Sequence, residues 1–219
     1  MRNLVSRSAT TSLLILLTGF VFALPTRGQQ VSTPTSPRQL LRVVNYNGDL
    51  AALLQTLAEQ YGVTIGLEAD PRQPQPQVNF EVRDATFHDV LDAIVRAKPM
   101  YQWREVDGAV DFYPVAGGSP VLDAVIGSFR VSDAKWAAAS DALMKLPEVE
   151  SGMSGMGLRR QDAERGTASR GGDVFSMHLE GVTVRRALHE MTAKSGSRFW
   201  VFRQFRGGEK FYSLGNSAR

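Results

Sequence analysis

Residues 78–94 (VNFEVRDATFHDVLDAI) and residues 175–191 (FSMHLEGVTVRRALHEM) carry one pattern twice. In each stretch apolar residues first alternate at a spacing of two, a threonine follows, and apolar residues then recur at helical spacing. The offset between Thr86 and Thr183, 97 residues, aligns all of these positions. The pattern predicts a strand, a threonine and an amphipathic helix in each copy, and hence two similar small modules in one chain.

The sequence around the first stretch predicts a module over residues 40–116. Asp49 precedes a leucine-rich helical pattern that stops at Gly62, as expected for a helix with an aspartate cap and a glycine end. Thr86 begins the next helix, and two alternating segments around Asp107–Gly108 indicate a β-hairpin.

A second, degenerate module is predicted over residues 120–219. Asp133 is the candidate helix cap, and the last hairpin turns at Gly207–Gly208. Residues 151–173 are rich in glycine and arginine and have little apolar periodicity, which predicts a flexible insert. The fold class predicted is α+β, with two tandem βαββαβ-type modules, each a mixed sheet packed on two helices.

The N-terminus has the features of an export signal. Arg2 and Arg7 precede an apolar run over 13–24 with small residues near its end, so we expect a signal peptide over 1–23, followed by a flexible segment over 24–39. A membrane anchor is the alternative, but this run is shorter than the roughly 20 residues that a spanning helix needs. The mature chain is therefore expected to have no transmembrane segment.

Composition limits the function classes. The chain has no cysteine, which excludes disulfides, a thiol nucleophile and a lipid-anchoring cysteine. Residues 43–115 carry 5 basic and 11 acidic side chains, a net charge of −6, whereas residues 174–219 carry 8 and 3, a net charge of +5. These opposite charges either complement each other within the molecule or serve head-to-tail association or an acidic partner.

The segments DLAALLQTLAEQYGVTI and VNFEVRDATFHDVLDAIVRAKPMYQW carry a resemblance. They resemble the secretin and TonB short N-terminal domain, with two tandem copies of which the second is degenerate. The resemblance implies a role in docking other proteins, such as a secretin, a TonB-dependent receptor or an inner-membrane regulator. No pore or barrel segment follows in this sequence, so we expect the recognition part of such a system as a free periplasmic protein, with association to the outer membrane left open.

A search for reactive groups gives little. His88 and His189 lie just off the apolar stripes of their helices, and His178 points away from its apolar neighbours, so all three are expected at the surface. None has metal-ligand spacing with a carboxylate beside it. The sequence therefore predicts no catalytic site, no metal and no cofactor.

The last hairpin is crowded with aromatic and basic residues. Trp200 and Phe202 lie on one side of the strand, and Arg203 and Arg206 follow. We expect these four residues to form an intermodule or partner surface. Nucleic-acid binding is not expected, because no RNA-binding signature accompanies them.

These observations predict a non-catalytic protein-binding module, an adaptor or accessory subunit of an envelope transport, secretion or signalling assembly, that binds by edge-strand addition. Two alternatives stay open. One is an exported enzyme or ligand-binding protein with a site between the modules. The other is a self-assembling structural subunit whose acidic first module meets the basic second module of the next copy.

Overall fold

One order of strands and helices occurs twice in the fold. The computed structural model describes residues 41–73, 75–160, 172–206 and 210–216. The first half contains β1 (Leu41–Asp49), α1 (Leu50–Tyr61), β2 (Thr64–Ala69), β3 (Gln77–Ala85), α2 (Phe87–Ala97), β4 (Tyr101–Val106) and β5 (Ala109–Pro114). The second contains α3 (Pro120–Asp123), β6 (Val125–Ala134), α4 (Trp136–Met144), α5 (Pro147–Gly155), β7 (Leu158–Arg160), β8 (Phe175–Thr183), α6 (Val184–Lys194), β9 (Phe199–Arg206) and β10 (Lys210–Asn216).

The strand pairing also repeats. In the first half β1 pairs with β3 and the order β4-β5-β2 follows; in the second half β6 pairs with β8 and the order β9-β10-β7 follows. In both halves the two-stranded sheet, β1–β3 or β6–β8, is antiparallel, and so is the hairpin, β4–β5 or β9–β10. The last pair, β5–β2 or β10–β7, is parallel. The predicted α+β class is confirmed, with helices packed on a mixed sheet.

The two halves share one six-stranded sheet, because β2 pairs in parallel with β9. Side chains of successive strand residues point to opposite faces. Phe199 and Val201 of β9 accordingly enter the core of the first half, whereas Trp200 and Phe202 enter the core of the second. The sheet is therefore also the junction between the modules.

The predicted helix and turn signals of the first half are found in the structure. Asp49 caps α1 by accepting from the Ala52 amide, and Gly62 ends it at φ 67°. Thr86 and Asp89 form a reciprocal capping box at the start of α2. Asp107 and Gly108, both at positive φ, turn the β4–β5 hairpin.

Two predictions for the second half are wrong. Asp133 does not cap α4; it lies at φ 47° where the β6–β8 register shifts, and Lys135 is the N-cap. The insert over 151–173 is not flexible throughout, since residues 151–155 complete α5 and residues 158–160 form β7. The cap prediction was wrong because Asp133 lies in an irregular part of β6, just before α4. The order in the insert was missed because a three-residue strand is too short to show periodicity.

Several predictions fall on other parts of the chain. The signal peptide, the segment over 24–39, the turn at Gly207–Gly208 and residues 161–171 of the insert lie outside the described residues. In the part of the chain that the structure describes, no helix is long and apolar enough to cross a membrane.

Tyr61→Phe is expected to stabilise the protein. The Tyr61 hydroxyl is buried at the end of α1 and has no hydrogen-bond partner among the described residues, and its ring packs on Phe87 at 4.7 Å between centroids. Burying an unsatisfied hydroxyl costs about 1–3 kcal/mol, and phenylalanine keeps the ring without that cost. Denaturant unfolding should show a gain of about 1 kcal/mol, and a loss of stability would show that the hydroxyl is satisfied.

Candidate protein-binding surface

The module junction is built on a buried arginine. Arg185 of α6 donates from Nη2 to Glu68 Oε2 of β2 at 3.0 Å and from Nε to Asp123 Oδ1 at 3.0 Å. Its Nε also lies 3.9 Å from Asp111 Oδ2 of β5. A Cβ at Gly118 would lie 2.9 Å from Glu68 Oε2, so the linker between the modules covers this pair closely.

Burial dominates the electrostatics of this cluster. Burial raises the pKa of Glu68, and the opposing effects of Arg185 and of the Ser119 amide, which donates to Glu68, do not cancel it. Burial acts to lower the pKa of Arg185, but the carboxylates of Asp111 and Glu68 outweigh it and raise the pKa. A buried charge of either sign is therefore tolerated only while its partner is present.

His189, one turn after Arg185 on α6, extends the network. Its Nε2 lies 2.7 Å from Asp111 Oδ1, and Trp200 Nε1 donates to its Nδ1 at 3.2 Å. Because an indole N–H only donates, Nδ1 must be the acceptor and the proton must sit on Nε2, which donates to Asp111. Both ring nitrogens are thus engaged inside the protein.

The predicted surface position of His189 is wrong, whereas His88 and His178 are exposed as predicted. Arg185 and His189 lie off the apolar stripe of α6 but do not face solvent, because strands of the first module cover them. Ion pairs of Arg185 with Glu68 and Asp111, and of Arg186 with Asp107, join the basic second module to the acidic first. The opposite charges therefore complement each other in part within the molecule.

Trp200 fits the junction only because a glycine lies opposite. Gly66 of β2 is in register with Trp200 of β9, and a Cβ at position 66 would lie 2.3 Å from Trp200 Cζ2. A glycine in a strand commonly marks such a close approach. Sequence analysis did not single out Gly66, Glu68, Asp111 or Arg185.

Asp111→Asn is expected to lose more stability at neutral than at acid pH. Burial acts to raise the pKa of Asp111, but its contacts with His189, Arg185 and Arg104 outweigh this and lower it. A carboxylate with a lowered pKa stabilises the fold above its ordinary value of about 3.9, and this contribution is lost as the pH falls through the lowered pKa. Thermal unfolding of wild type and Asp111→Asn measures the difference in stability between them. This difference should become smaller as the pH falls from neutral to strongly acid. A difference that does not change with pH would contradict the prediction.

The tryptophan contact of the junction has an equivalent in the first module. Trp103 Nε1 of β4 donates to Asp92 Oδ1 of α2 at 2.9 Å, and these residues precede Trp200 and His189 by the same 97 positions. The α2–β4 surface, formed by His88, Asp89, Asp92, Trp103 and Glu105, is therefore the first module's version of the surface that α6 and β9 present to β2 and β5. Here it is open, with His88, Asp89, Asp92 and Glu105 exposed.

The α2–β4 surface includes the edge of the sheet. Val115 donates to the Met100 carbonyl, which fixes the alternation of the antiparallel β4–β5 ladder. The amide and carbonyl groups of Trp103 and Glu105 consequently point away from β5. No other described strand pairs with this side of β4. Main-chain groups are thus available for an added strand.

The residues predicted for an intermodule or partner surface have different locations. Trp200 and Phe202 are fully buried in the second core, which leaves neither accessible to another protein. Arg203 is half-buried, and burial lowers its pKa. Arg206 ends β9. The four residues do not form one exposed patch, because alternate β9 side chains enter two different cores.

A cleft between the modules was the alternative site. A cavity of about 300 Å³ opens where β2 and β5 end, lined by Glu68, Asp70, Arg72, Ser119, Met156 and Gln204 among others. The His189–Asp111 pair is buried rather than presented in this cleft. No group of His, Asp and Glu side chains within the described ranges has the arrangement of a metal site.

Comparison with known proteins adds no relative. No family model, no curated protein and no solved structure matches the chain. Function must therefore be argued from the surface itself.

Proposed function

We propose that the protein is a non-catalytic, periplasmic protein-binding module, an adaptor or accessory subunit of an envelope assembly of the secretin or TonB-dependent type. It binds a partner by adding the partner's edge strand to the α2–β4 surface. The envelope location rests on the predicted signal peptide, and the type of assembly rests on the resemblance of the first module.

The observation that carries the proposal is the junction inside the chain. There, the α6–β9 side of the second module takes up the β2 edge by parallel strand pairing, with an indole contact and ion pairs beside the strands. The α2–β4 surface has the same strand, helix and indole in the same arrangement. A surface that already binds a strand edge in one module is suited to the same task in the other.

The chemistry of the buried histidine favours binding over catalysis. A general base needs a nitrogen within hydrogen-bond reach of a substrate proton. Both nitrogens of His189 are engaged by Asp111 and Trp200, and the ring is buried. The residues of the junction therefore act by holding strands together.

Glu105→Pro is the test variant. Proline removes an amide that points outward from β4 and leaves the amides that bond to β5, so it should block strand addition without opening the hairpin. Glu105→Ala is the matched control, because it removes the same side chain and keeps the amide. The lost Glu105–His88 pair is exposed in both variants and contributes little.

The experiment is a crosslinked capture from the native cell envelope with tagged wild type, Glu105→Pro and Glu105→Ala. The proposal expects a secretin, a TonB-dependent receptor or an inner-membrane regulator with wild type and with the alanine variant, and at least a tenfold loss with the proline variant. Equal capture by all three would sink the edge-addition mechanism. Binding of a small molecule in the cleft with no protein captured would favour the ligand-binding alternative.

A further inference from the structure

We infer that the strand edge received by the α2–β4 surface is β7 of a second copy of this chain, so that copies join head to tail. This inference rests on the proposed function and names the partner of the same surface. It would make the protein a self-assembling subunit within its envelope assembly.

The first argument is the order of strands. In β4-β5-β2-β9-β10-β7, β7 occupies in the second module the position that β2 occupies in the first, and β9 occupies the position of β4. The internal junction pairs β2 with β9 in parallel. Pairing of β7 with β4 of another copy repeats that junction with the equivalent strands. Among the described strands, β4 and β7 are the two ends of the sheet.

The second argument is charge. The α2–β4 surface carries the exposed carboxylates of Asp89, Asp92 and Glu105. At the other end of the sheet the exposed side chains of Arg159 and Lys210 lie on or beside β7, together with Arg160, which pairs with Asp141. The two ends are complementary, with the polarity opposite to that of the internal junction, where α6 carries the cations. Such complementarity orients association and excludes like ends.

The third argument is geometry. The two surfaces belong to different ends of the molecule, so the contact is heterologous, and a joined pair of copies still has one free β4 end and one free β7 end. Such a contact produces chains of copies, or rings when the rotation closes. Pairing of β4 with β4 of a second copy would instead stop at dimers.

The experiment uses two variants of the full chain, each blocked at one end. Glu105→Pro blocks the β4 end and keeps the β7 end. Arg159→Glu reverses the charge of an exposed side chain on β7 and keeps the β4 end. Circular dichroism and thermal unfolding establish that both variants fold. Glu105→Ala is the control that removes the same carboxylate and keeps the amide, so it should still grow beyond a dimer, at a higher concentration than wild type.

Sedimentation equilibrium over a wide range of concentration gives the readout. Wild type should grow beyond a dimer with concentration and dissociate as salt is raised, because exposed charge contacts are screened over about 10 Å at 0.1 M salt. Each variant alone should stay at the mass of one chain. An equimolar mixture of the two should reach about twice that mass and no more, because only the intact ends can meet.

Three results would overturn the inference. Wild type at the mass of one chain throughout would exclude self-association. Dimers of Arg159→Glu alone would indicate β4–β4 pairing, and a mixture that stays monomeric would show that β7 and β4 do not meet. In each case capture of an envelope protein that is lost only with Glu105→Pro would leave the proposed function standing; loss of that dependence as well would overturn both.

Discussion

Replacing Arg185 by alanine should destabilise the protein by about 3–5 kcal/mol, the range found when one partner of a buried ion pair is removed. Glu68 and Asp111 are each almost fully buried, and both lose a contact with Arg185 in this variant. The penalty arises mainly because Glu68 then remains inside the protein without a compensating cation, whereas Asp111 keeps Arg104 and His189. Equilibrium unfolding in denaturant measures it directly.

The neighbouring arginine provides the matched control. Arg186 follows on the same helix but is 34% exposed and pairs with Asp107 and Glu190 at the rim of the junction. Exposed pairs contribute about 0–1 kcal/mol, so Arg186→Ala should have little effect. If both variants lost the same small amount of stability, the buried network would not hold the modules together.

Gly66→Ala should cost about 3 kcal/mol, at the upper end of what overpacking a core causes. The added methyl group would lie 2.3 and 2.4 Å from Trp200 Cζ2 and Cε2, and this indole is fully buried. Either β2 separates from β9 or Trp200 leaves its place beside His189. The loss of stability should appear as a lower unfolding midpoint. A change in tryptophan fluorescence should accompany it, because the Trp200 indole becomes more exposed to solvent.

Gly127→Ala is the matched control for Gly66→Ala, and a double variant tests whether the overlap with Trp200 causes the loss of stability. Gly127 lies in β6, where an added Cβ meets its nearest atom, Glu148 Oε1, at 3.5 Å, so this substitution should be neutral or slightly stabilising. Trp200→Phe in the Gly66→Ala background should recover part of the loss, because the smaller ring relieves the overlap. Strictly additive effects of the two substitutions would show that residues 66 and 200 do not compete for space.

The elements of each module could be predicted because their signals are local. An apolar alternation of two, a leucine stripe and a Thr86–Asp89 cap act within a few residues, and the structure places the corresponding elements within a few residues of the predictions. The strand β7 escaped prediction because three residues carry no periodicity. The N-cap of α4 is Lys135 rather than the predicted Asp133 for a related reason. The irregularity in β6 that includes Asp133 depends on pairing with β8, which is distant in the sequence.

The junction was beyond sequence reasoning for a different reason. Periodicity marks the helix face that packs on its own module, and Arg185 and His189 lie off that face of α6. Their burial depends on β2 and β5, the strands that the first module contributes to the shared sheet, and no local pattern encodes that contact. One signal was present in the sequence. Trp103 recurs 97 residues later as Trp200, and position 92 corresponds to His189 at the same offset, which is also that between Thr86 and Thr183.

The double use of β9 governs when the protein can become complete. Phe199 and Val201 belong to the first core, although they are synthesised after all of its other residues. The core of the first module is thus complete only after β9 has packed against it. An incompletely synthesised chain that lacks β9 therefore has no finished first module.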